Sequence, residues 1–183
     1  LEHAVHGIVT GFEQACAECL TQNKSIVEDL IGEQLYSGLD GDTNSLRPSY
    51  SDDPFFDIKG RWYHDSDGYI EWKKKITPPI TSPRLNLPPR PVDVPNLYIT
   101  GTFHESIRAT VNGGKLLINT VGFSDGPDIV RKYGDNILNL GMDAREYVVL
   151  EMLKPFIGNF FKGYGFCWDV VARIRKRCLI MRV

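Results

Sequence analysis

The chain has 183 residues, 42% of them apolar and 24% charged, with a net charge of −2. That length suits one domain with extensions and a real core, and the near-neutral balance does not imply bulk attraction to nucleic acid. No apolar run approaches the roughly 20 residues of a membrane span, and the start, LEHAVHGIVTGF, lacks the cationic segment of a secretory signal.

Residues 1–36 read as a long amphipathic helix. Ile8, Phe12, Ala15, Cys19, Ile26, Leu30 and Ile31 recur at helical spacing. The polar run TQNKS at 21–25 marks a bend or a break, and Gly38 can end the helix in the left-handed conformation. Residues 37–96 read as an extended arm. Within it, 61–64 and 69–73 are expected to pair as a hairpin around the DSDG turn at 65–68. Seven of the eleven prolines follow, between Pro78 and Pro95. A run so poor in backbone donors builds neither a helix nor a central strand. It should be extended, polyproline-like chain that gains order on a neighbour.

Residues 97–163 are expected to form the core together with the first helix. Thr102 and Glu105 have the spacing of a capping box. Asn112-Gly113 is a strong two-residue turn signal, between strands at 108–111 and 115–120. A short helix at 124–134 follows, with Pro127 in its first turn, Ile129, Val130 and Tyr133 facing inward, and Gly134 at its end. A closing helix at 142–161 should kink at Pro155. The basic extension at 164–183 fits either helix or strand. The fold class is therefore α+β: a long N-terminal helix, a small antiparallel sheet built on a hairpin, a C-terminal helix and a Pro-rich arm.

Chemistry is sparse. Cys16 and Cys19 have CxxC spacing but sit within a helical pattern, and Cys167 and Cys178 do not make a second close pair. We read all four as buried thiols in a reducing compartment. No HxH or HxxxH pair, phosphate loop or nucleophile elbow occurs. His104 beside Glu105 could do acid–base work, but Glu105 is accounted for by the cap. The DSDG turn and Asp52, Asp53 and Asp57 do not match a calcium loop. No catalytic residue, metal site or cofactor is assigned, and the chain is not expected to be an enzyme. Arg173, Arg175, Lys176 and Arg177 are candidate contacts to a DNA backbone. Their alternative is a solvated face opposite Val170, Val171, Ile174 and Leu179.

The element order resembles the tail-completion, or virion-morphogenesis, proteins of tailed bacteriophages. That pattern has a long first helix and a box of the form Leu-x-x-Thr-Gly-x-Leu/Phe-x-x-Ser-Ile. A hairpin follows, then a short helix ending in an aromatic-Gly pair and a closing helix. Leu97, Thr100, Gly101, Phe103, Ser106 and Ile107 match the box, and Tyr133-Gly134 the pair. The segment at 33–50 is similar to phage and prophage proteins of gut bacteria with a Gln-Leu-Tyr-x-Gly stretch after the first helix. The likeness covers about 30–50 and 97–161. The Pro-rich insert at 77–95 is longer than in a minimal member, and the extension after Gly163 has no counterpart. The resemblance implies a homo-oligomeric ring in the virion, at the head–tail connector, the neck or the top of the tail. It would be assembled in the bacterial cytoplasm beside other neck, portal-adjacent or tail proteins, with passing contact to genomic DNA and no membrane. The uneven charge fits such an orientation: eleven acids against three bases in 1–60, six bases against one acid in 162–183. The rival reading is a nucleic-acid-binding accessory protein using the basic C-terminal segment.

Overall fold

The computed structural model describes residues 2–112 and 114–165. Its fold is α+β. Two helices begin it, α1 (Glu2–Gln22) and α2 (Lys24–Tyr36), divided at Asn23 within the polar run. The Cys19 carbonyl accepts both from the Asn23 amide at 3.1 Å, the last bond of α1, and from the Asn23 side chain at 2.8 Å, so Asn23 closes the helix with its own side chain. α2 ends as expected. Gly38 has φ +74°, and a Cβ there would sit 2.6 Å from Val94 Cγ1, so neither the conformation nor the space admits a side chain.

The expected hairpin at 61–64 and 69–73 is not formed. In its place is α3 (Ser66–Ile76). Asp65 is its N-cap and accepts from the Gly68 amide at 3.0 Å. Three lysines, Lys73, Lys74 and Lys75, occupy the last turn, where the helix dipole favours them. Residues 77–101 contain no helix or strand, but they are not a free arm. They lie on the chain's own α2: Glu33 accepts from the amides of Arg84 and Leu85 at 2.9 and 3.1 Å, and the Tyr36 hydroxyl donates to the Pro78 carbonyl at 3.1 Å.

α4 (Thr102–Ser106) leads into β1 (Ile107–Asn112) and β2 (Lys115–Thr120), which form a two-stranded sheet. Thr102 is not the N-cap. That position belongs to Gly101, with φ +93° and no side-chain cap, and the capping box does not form. Asn112 belongs to the strand and not to the turn, since it closes β1, and Gly114 takes φ +77° before β2 begins. α5 (Gly126–Tyr133) has Pro127 in its first turn and stops at Gly134, φ +92°, as its punctuation predicts. α6 (Met142–Tyr147) passes through a π-helical stretch (Val148–Leu153) into α7 (Lys154–Gly163). The expected disturbance at Pro155 takes this form. Proline has no N–H to continue the ladder, and one residue earlier Lys154 N–H bonds Val149 O with the wider π spacing.

The chain divides into two units that differ from the four expected segments. One holds the chain up to Asn23, the hairpin tip Val111–Leu116 and the chain from Tyr147 on; the other holds Lys24–Thr110 and Leu117–Glu146. In the first, α1 meets the π segment and α7 along a small-residue stripe. Ala15 and Cys19 are buried, the Cys19 thiol donates to the Met152 carbonyl at 3.5 Å, and Phe12 packs against Phe160 and Phe161. In the second, Ile31, Leu35, Leu46, Val94, Phe103, Ile107 and Ile137 form the main core. A satellite of Tyr50, Phe56 and Ile70 packs with Trp62 and Tyr69.

Candidate binding cleft around Lys73

The cleft follows from the prolines. Seven of them between 78 and 95 remove N–H donors from one stretch, so its buried carbonyls need donors from elsewhere. Two cationic side chains supply them. Arg90, 3% exposed, donates from Nη2 to the Thr77 carbonyl at 2.9 Å and from Nη1 to the Val94 carbonyl at 3.1 Å. Lys73, 1% exposed, donates from Nζ to Asn96 Oδ1 at 2.8 Å and to the Tyr98 carbonyl at 2.5 Å. Asn96 Oδ1 also accepts from the Tyr98 amide at 3.2 Å. The chain between them turns sharply: Leu97 sits at φ +52°, where a branched side chain is strained. Gly101 follows at φ +93°, and a Cβ there would meet the Tyr98 hydroxyl at 2.9 Å.

This folded strap forms one wall of a cleft of about 420 Å³ in the second unit. Tyr50 and Tyr69, edge-on to each other, line it with Phe103, Phe123 and Tyr133, and Lys73 and Lys132 are its two lysines. Lys132 is matched, because its Nζ lies 2.5 Å from Asp53 Oδ2. Asp53 is doubly used, since Oδ1 accepts from the Phe55 amide at 3.0 Å. Lys73 has only neutral acceptors. Burial, with Arg90 adding repulsion, brings its amine down to about 7. The phenols of Tyr50, Tyr69 and Tyr133 are all pushed up, chiefly by burial, Tyr69 to about 12. They remain neutral hydroxyls across the physiological range.

His104 stands behind the strap. Its Nε2 lies 2.9 Å from the Asn96 carbonyl, which can only accept, so Nε2 carries the proton. Burial first, and Lys73 nearby, push the imidazole down to about 4 from 6.5, against the favourable carbonyl bond. The folded chain thus binds fewer protons than the unfolded chain between these values. The stability this gives is complete above 6.5 and is lost as pH falls toward 4. We expect up to about 1.4 kcal/mol of stability lost per pH unit from this one group. Urea midpoints across the window should show a flatter slope for His104→Gln than for the parent.

The resemblance residues converge here. Leu97, Thr100, Gly101, Phe103 and Tyr133 all line the cleft. Ser106 and Ile107 are buried behind it, with the Ser106 hydroxyl on the Phe103 carbonyl at 2.7 Å, and Gly134 ends α5. No family model, curated protein or solved structure matches the chain. The remaining expected sites do not join the cleft. Arg173, Arg175, Lys176 and Arg177, with Cys167 and Cys178, lie outside the described residues. Cys16 and Cys19 are unpaired thiols, both pushed up by burial, so neither is poised as a thiolate. Among the described residues no three His, Cys, Asp or Glu side chains converge as a metal would need, and no helix is long and apolar enough to cross a membrane.

Sequence reasoning missed Lys73, Arg90 and Asn96. Lys73 has a faint signal: with Ile70 it falls at i, i+3, the spacing of a buried helical face. Arg90 and Asn96 have none, because a buried cation whose partners are backbone carbonyls leaves no mark in composition.

Proposed function

We propose that this protein is a non-catalytic structural subunit of a tailed-phage particle, forming a ring at the head–tail connector, the neck or the top of the tail. The observation that carries this reading is the convergence of the resemblance residues. Leu97, Thr100, Gly101 and Phe103, from one short stretch, meet Tyr133, 30 positions further along, on one cleft. A motif that shapes a concave wall, lined by rings and two lysines, suits the reception of a partner. Apolar side chains left at the surface supply further contact area. Ile58 is 66% exposed beside Phe55, and Val121 is 61% exposed after β2. The strap packs on its own unit, so neighbours are met by these surfaces and not by an outstretched arm.

A closed ring needs a heterologous interface, in which two different patches of the subunit meet. Class averages of the purified full chain by negative-stain electron microscopy should show rotational symmetry. Sedimentation that finds only a monomer over the whole accessible concentration range would overturn the ring.

A further inference from the structure

Lys73 has what a buried cation requires except an anion. Two of its three N–H donors are used, both on neutral oxygens. Arg90 on the strap acts on it by repulsion. Lys132 on α5 is answered by Asp53, and Glu105 on α4 lies beside Gly101, 3.4 Å from where a Cβ there would sit, without a bond to Lys73. His104 on α4 is neutral, and Tyr50, Tyr69 and Tyr133 are neutral phenols at neutral pH. A buried charge without a partner is costly, and the group either gives up its proton or takes an anion in contact with it. Lys73 borders an open cleft of about 420 Å³, room for a side chain or two, with six aromatic rings among its fifteen lining residues. On the rim the Thr100 and Thr102 hydroxyls, 2.7 Å apart, offer a second donor.

We propose that the cleft receives a carboxylate carried next to an aromatic ring on a segment of a neighbouring protein, with Lys73 as its counter-ion. Charge complementarity selects the anion, the rings select a flat apolar companion, and the volume selects side chains of a peptide segment. Arrival of the carboxylate favours the protonated amine, so binding draws a proton from solvent wherever Lys73 is free and neutral. That the segment belongs to a protein rests on the assembly reading; the need for an anion rests on the cleft alone.

The test uses the full chain and two blocked tetrapeptides, acetyl-Gly-Glu-Phe-Gly-amide and its Gln counterpart. The Glu peptide should shift the amide resonances of Tyr98, Gly101 and Thr102 saturably, with the Gln peptide at least about tenfold weaker. Calorimetry at about pH 8 in two buffers of different ionisation heat should report proton uptake with the Glu peptide alone. Lys73→Met should abolish the Glu-over-Gln preference; if that variant does not fold, the peptide ratio and proton uptake of the parent still decide. Equal binding of the two peptides, or saturation by neither, overturns the proposal. Binding of free phenylacetate with no binding of the Glu peptide overturns the protein partner. A strictly monomeric chain that binds the Glu peptide would end the ring reading and leave this one intact.

Discussion

Arg90→Met should loosen the Pro-rich strap and lower the stability of the unit containing it by about 3 kcal/mol, the sum of two or three charge-assisted hydrogen bonds at 1.5–3 kcal/mol each, less the relief of desolvating a cation. The loss follows from geometry. The guanidinium spans the Thr77 and Val94 carbonyls, 17 positions apart along the strap, and also donates to the Pro91 carbonyl at 3.3 Å. Met keeps the length and apolar stem of Arg but leaves these buried acceptors unanswered. No neighbouring N–H can take over, because prolines have replaced the donors. Arg90→Lys should fall between, since an ammonium cannot reach both ends as a planar fork does. Two readouts separate strap opening from general unfolding. Tryptic cleavage at the Arg84–Leu85 bond, whose flanking amides are held by Glu33, should accelerate in native buffer. The urea midpoint should fall with it. Unchanged cleavage and midpoint would mean that the guanidinium bonds are replaceable by water.

The hairpin, α5 and the stop at Gly38 were legible because each is written in local chemistry. Leu116 and Ile118, half-buried, alternate with exposed Leu117 and Asn119, and an Asn-Gly pair precedes them in the sequence. Pro127 and Gly134 punctuate a helix at both ends. α3 was misread because its opening, DSDG, serves two purposes. Asp65 can close a hairpin turn, or it can cap a helix by accepting from Gly68, and the second occurs. The apolar period that would have decided between them is interrupted by a lysine, since the buried face of α3 includes Lys73. The missing capping box has a similar origin. Thr102 and Glu105 have the right spacing, but Gly101 has already entered the left-handed region under the Tyr98 ring and takes the N-cap. The strap was read correctly as irregular chain and wrongly as an arm. What holds it down is Glu33, Arg90, Lys73 and Asn96, joined across separations of up to 52 residues that no local pattern encodes. The cleft was half legible: its motif residues were named, while the cation that gives it chemistry was not.

Tyr69→Ala should cost more than any other single change in the satellite cluster, about 3–5 kcal/mol, the range for deleting a large aromatic from packed surroundings. Tyr69 is the hub there. Its ring centroid lies 5.0 Å from Tyr50, 5.3 Å from Phe56, 5.4 Å from Trp72 and 5.5 Å from Trp62, in edge-on or tilted arrangements. Each such pair adds on the order of 0.5–1.5 kcal/mol beyond the area it covers. Ala would open a void that the rings cannot close together, because each is held from its own segment: Tyr50 and Phe56 on 3₁₀ turns, Trp62 in the turn before α3, Trp72 on α3. Tyr69→Phe removes only the hydroxyl and keeps every ring contact, so it should stay within about 1 kcal/mol of the parent. Trp62 and Trp72 flank the hub, and their fluorescence should respond in the native state to Ala and not to Phe. Tyr69 also walls the cleft, so the two substitutions separate packing from binding. If the Glu-Phe peptide needs the aromatic wall, Tyr69→Phe binds it normally, while folded Tyr69→Ala binds it weakly. A Tyr69→Ala variant as stable as Tyr69→Phe would show that the rings touch without supporting one another.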